Sequence, residues 1–139
     1  MNRVFSAGWM VATALFRAAA CSTTGGSLSN SAERLERSSI ALERNAYGDR
    51  DSGFRRDAVA LAEEARDFRR TIADSRADRE DVRDAFSDLS RTYHELRDEV
   101  ERSRSTEAER DFRPVTDAYL DVEREMGRSG ERRDRVARD

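Results

Sequence analysis

Four stretches of this chain carry apolar residues at alternating spacings of four and three, and that spacing leaves few folds open. From Phe54 the series runs Phe54, Ala58, Leu61, Ala65, Phe68, Ile72, which places every member on one face of an α-helix. The progression recurs in Leu28, Ala32, Leu35, Ser39, Leu42, Ala46, then in Val82, Phe86, Leu89, Tyr93, Leu96, Val100, and again in Ala108, Phe112, Val115, Tyr119, Val122, Met126. A helix with one apolar stripe cannot bury it alone, so the four must pack against one another or against a partner. The expected fold is all-α, an antiparallel four-helix up-down bundle over residues 28–126.

Composition taken alone points elsewhere, since 40% of the residues are charged and a single Pro is present, a balance that resembles disorder. Periodicity overrules it. The charges are interspersed in sign along the chain rather than blocked, as on solvated helix faces carrying i,i+4 pairs. Every basic residue is Arg, which excludes lysine chemistry.

The connections differ in how clearly they are written. Gly48 and Gly53 bracket the first, with Asp51 or Ser52 available to cap the second helix. Thr106 and Glu109 have capping-box spacing and open the fourth. Between Ile72 and Val82 the heptad register continues through Ser75 and Arg79, which leaves two readings. One is a turn near residues 74–80, where Asp74-Ser75-Arg76-Ala77-Asp78 is rich in capping residues; the other is one helix over 54–103, ~75 Å long, forming a coiled-coil oligomer. The turn is preferred because Arg79 fits a seam poorly. Pro114 is expected to kink the fourth helix or to delay its regular part to about Arg113. Past Met126, the run Gly127, Ser129, Gly130 breaks the pattern, and residues 127–139 are expected to form a disordered Arg-rich tail.

The N-terminus speaks about address. Arg3, an apolar stretch from Val4 to Phe16, and the small residues Ala18-Ala19-Ala20 before Cys21 have the three parts of a secretory signal, and the stretch is shorter than the ~20 residues a membrane span needs. Ala-Ala-Ala-Cys followed by Ser22-Thr23-Thr24-Gly25-Gly26 resembles a bacterial lipoprotein precursor. That resemblance, confined to about residues 1–27, implies cleavage between Ala20 and Cys21, lipidation of Cys21, and a flexible tether over 21–27. Ser22 then looks like a residue sorting the protein to the outer membrane, facing the periplasm. Ordinary cleavage after Ala20 satisfies the same small-residue rule and releases a soluble periplasmic protein beginning at the same Cys. Removing residues 1–20 takes away Arg3 and Arg17 and no acids, which leaves the mature chain at about −5.

Catalytic chemistry finds little support. His94 is the only histidine, and Arg91 stands where a bundle metal site places Glu three residues before its His. His94 is expected to make a surface ion pair with Asp98, four residues on. The lone Cys excludes Cys-x-x-Cys-His haem attachment, and no nucleophile elbow or phosphate-binding Gly loop is present. No enzyme, cofactor or metal is expected. Tyr93 and Tyr119 occupy equivalent seam positions; core packing is the preferred reading, and a ligand or partner surface is the other. The negative mature chain and its export disfavour nucleic acid.

Two classes of function remain. One is a cell-envelope lipoprotein, held to the membrane by its N-terminal lipid and meeting an envelope protein partner or a second copy of itself. The other is a soluble periplasmic binding or chaperone-like module whose bundle opens, with the Ala- and Ser-rich first helix as the displaceable element.

Overall fold

Each seam becomes one helix. The computed structural model describes residues 23–46 and 52–136, which form α1 (Thr23–Ala46), α2 (Ser52–Ala73), α3 (Arg79–Ser103) and α4 (Thr106–Val136), with no strand among them. α1 packs against α2 and α4, and α3 against α2 and α4, while the diagonal pairs stay apart. That cyclic order is an antiparallel four-helix up-down bundle, and α2 and α3 are separate helices rather than one long rod.

Every seam residue is buried or half-buried, and Ala62, Thr92 and Ala118 widen the stripes. Large and small side chains compensate across the core. The α3–α4 register is set by a 2.8 Å hydrogen bond shared by Ser90 and Tyr119 and a 3.4 Å bond from the Tyr93 hydroxyl to Thr116 Oγ1. The α1–α4 register is set by the 2.6 Å ion pair of Arg34 with Asp121. These place Ser39 level with Tyr93 and Ala32 level with Phe86. Interiors pack at nearly constant density, so a ring on one helix requires a small residue on another. Aromatic bulk concentrates between α3 and α4, whose backbones approach each other least closely.

The α2–α3 turn is built by its aspartates. The Asp74 amide donates to the Arg70 carbonyl at 3.0 Å, and Asp74 Oδ1 accepts from the Arg76 amide at 2.9 Å. Asp78 then caps α3. Its carboxylate accepts from the Glu80 and Asp81 amides, and Asp81 returns a bond to the Asp78 amide at 2.8 Å, a complete capping box.

Several expectations need correction. The cap of α4 is Ser105 rather than Thr106: the Ser105 hydroxyl accepts from the Ala108 amide at 3.3 Å, and its carbonyl from Glu109 at 3.0 Å. Pro114 does not delay α4, which already runs from Thr106. It lies on the exposed face above exposed Arg110, so the carbonyl that loses its intrahelical donor there is open to water. α1 begins at Thr23, and residues 23–27 continue the helix instead of forming a flexible tether. α4 likewise passes through Gly127, Ser129 and Gly130 to Val136, so 127–136 is helical rather than disordered. In both places a helix already nucleated by its packed seam extends outward, each added residue gaining a backbone bond, and the glycines cost only about 1 kcal/mol each. Gly48 and Asp51 of the first connection lie outside the described residues, and Gly53 falls within α2.

Candidate functional site

The core is closed along its length and looser at one end. Leu28, Ile72, Val82, Phe86 and Met126 are the seam residues that remain half-buried, and all lie where α1 begins, α2 turns into α3, and α4 runs on past the core. The opposite end is tight, with Ala46 1% exposed and Phe54 5%. Its α3–α4 turn is short: Arg104 adopts the left-handed conformation at φ 51°, the Ser103 hydroxyl donates to the Val100 carbonyl at 2.8 Å, and the Ser105 amide donates to that hydroxyl at 3.3 Å.

Beside the open end, a depression of about 570 Å³ lies at the α2–α3 turn, edged by Arg70, Asp74, Arg76, Asp81 and Asp84. Its rim is charged, and no group of His, Cys, Asp or Glu suited to hold a metal ion occurs among the described residues.

Tyr93 and Tyr119 stand in mid-core. Their rings stack at 3.8 Å between centroids and 7° between planes, and each is at most 3% exposed. No slot opens between them, so the alternative of a ligand or partner surface at this pair meets two rings closed face to face. The stack continues to Phe112 at 5.5 Å on one side, and to Phe86 at 6.1 Å and then Phe68 at 5.9 Å on the other, tying α2, α3 and α4 together. Burial pushes the Tyr119 hydroxyl above its ordinary pKa, against a smaller opposing effect of its bond with Ser90. His94 is exposed and lies edge-on against Tyr93 and Tyr119, at 5.3 and 6.0 Å. Its expected ion pair with Asp98 does not form, because Arg97 takes that carboxylate at 3.3 Å.

α1 is braced on both sides. Arg66 reaches Glu43 at 3.0 Å and Arg69 pairs with Glu36, which joins α1 to α2. Arg34 with Asp121, and Asn45 donating to Asp111 at 3.2 Å, join it to α4. Such cross-helix pairs contribute modestly to stability, yet they oppose the easy displacement expected of an Ala- and Ser-rich helix.

No known family, curated protein or solved structure matches this chain.

Function therefore has to be read from the residues. Ala20 and Cys21 lie outside the described residues, but the helix begins at Thr23, so the folded domain starts two residues after that Cys. No described helix is long and apolar enough to cross a membrane. The looser end escaped the sequence reading, because first and last seam members lie at both ends of the bundle and Ala46, Phe54, Val100 and Ala108 at the other end are buried.

Proposed function

We propose that the protein is a lipid-tethered helical bundle of the cell envelope, acting as a structural or protein-interaction module without a catalytic centre. The observation that carries this reading is the join between leader and fold. α1 starts at Thr23, so a lipid on Cys21 would hold the bundle directly at a membrane surface with almost no slack. A closed core and a braced α1 suit a rigid spacer better than an opening container.

Intact mass of the protein recovered from the membrane and soluble fractions of a Gram-negative host tests this. A membrane species beginning at Cys21 and carrying acyl chains is the expected result. An unmodified soluble species would overturn the tether.

The half-buried cluster of Leu28, Ile72, Val82, Phe86 and Met126 favours a second reading, a soluble periplasmic module admitting an apolar ligand at that end. Saturable binding of a fluorescent hydrophobe, lost on Phe86→Glu with the helical content retained, would support it over the first.

A further inference from the structure

The end at which the chain enters the bundle is electrically divided. The α2–α3 edge carries Asp74, Asp78, Glu80, Asp81 and Asp84 against Arg76, Arg79 and Arg83. The opposite edge is formed by α1 and α4, and the α4 residues beyond Met126 include Arg128, whose guanidinium pairs with Glu125 at 2.6 Å, and Arg132, Arg133 and Arg135 against Glu131 and Asp134. One edge is therefore net acidic and the other net basic.

Reach differs as well as sign. The register fixed by Arg34–Asp121 and Asn45–Asp111 sets Leu28 and Met126 at one level. From there α4 continues to Val136, about 15 Å at the helical rise, whereas α1 extends back to Thr23 by only about 8 Å. Two further residues to Cys21 add at most about 7 Å of extended chain. Two residues of chain are thus long enough for Cys21 to reach the height of the α4 tip. A Cβ added at Gly26 or Gly127 would meet nothing within 4 Å, so both glycines face open space.

We infer that residues 127–136 of α4 form a basic docking helix that lies against anionic phospholipid headgroups beside the lipid on Cys21. This rests on the lipoprotein reading above and adds a second contact to it. The anchor supplies residence at the membrane, and the basic extension supplies orientation: the α1–α4 edge is drawn to the bilayer. The register that sets Ser90 against Tyr119 places Asp78 level with residue 131 of α4, so the extension reaches about 8 Å beyond the acidic α2–α3 edge. A lipid held by two residues leaves the bundle free to swivel, and charge attraction at one edge removes that freedom.

The test uses the full mature protein with Ser129→Cys carrying an environment-sensitive fluorophore, reconstituted into vesicles of phosphatidylcholine alone or with phosphatidylglycerol. Acylation blocks the amine of Cys21 and consumes its thiol, so position 129 carries the only free thiol. The expected result is a blue-shifted emission and roughly twofold or greater quenching by headgroup-attached spin labels in the anionic vesicles, reversed at about 0.5 M salt. The shift should be lost when Arg128, Arg132, Arg133 and Arg135 are all replaced by Gln, with helical content followed in parallel. Emission identical in neutral and anionic vesicles from an acylated protein would overturn the headgroup contact and leave the anchor standing. A mass spectrum lacking acyl chains would overturn the anchor and the inference with it.

Discussion

Ser39 is the residue the fold accommodates least well. It occupies a seam position, is wholly buried, and its hydroxyl has no hydrogen-bond partner. A buried unpaired hydroxyl costs ~1–3 kcal/mol, and Ala is the better helix former, so Ser39→Ala should stabilise the bundle by about 1 kcal/mol. Chemical denaturation that finds the variant equal to or weaker than the parent would refute this account. Glu64 is a second misfit. Burial raises its pKa above the usual 4.5, and the neighbouring Asp88 and Asp67 push in the same direction, against the smaller opposing pull of Arg91. A carboxyl raised in the fold contributes stability while protonated and loses it as pH rises through the folded value. Glu64→Gln should therefore gain about 0.5 kcal/mol near pH 7, on the scale of a surface charge interaction, and nothing near pH 4. Melting temperatures at the two pH values check this. Neither misfit could be read from the sequence beyond its placement, because whether a hydroxyl or carboxylate is paired depends on side chains arriving from other helices.

Among the elements, the α3–α4 turn carries local strain in a short space. Arg104 is the only described residue other than glycine with positive φ, in a region that costs a β-carbon-bearing residue about 1–2 kcal/mol. Replacing Arg104 with Gly removes that cost, less the extra entropy of Gly in the unfolded chain, for an expected gain of about 0.5–1 kcal/mol in unfolding free energy. Loss of stability instead would mean that the Arg104 side chain holds the turn. The four helices themselves were legible, because a four-three spacing repeated over six positions has one geometric meaning. The α2–α3 turn was legible too, since Asp74-Ser75-Arg76-Ala77-Asp78 is rich in capping residues and Arg79 fits a seam poorly. The cap of α4 was misread by one residue: Ser105 and Thr106 are both good caps, and only the hydrogen bond to Ala108 distinguishes them. The outward extensions of α1 and α4 were missed for a different reason. Glycine and serine mark where a helix has no packing to hold it, yet they do not end a helix that neighbouring turns already support.

For the molecule as a whole, the contrast between a tight waist and a looser end makes a prediction about where stability resides. Leu89, wholly buried, should cost about 2–5 kcal/mol on replacement by Ala, whereas Phe86, larger but half-buried near the open end, should cost less. The reverse order in denaturant unfolding would indicate that the end is closed in solution. The stacked tyrosines have an optical consequence. The chain's single Trp is Trp9, within the proposed leader, so a chain cleaved before Cys21 would have tyrosine as its only strong ultraviolet fluorophore, and two of its three tyrosines lie in the core with their rings in contact. Tryptophan emission from a preparation then reports uncleaved precursor, while the near-ultraviolet dichroism of the coupled Tyr93–Tyr119 pair reports whether the middle of the bundle is intact, so export and folding can be followed in one sample without any label.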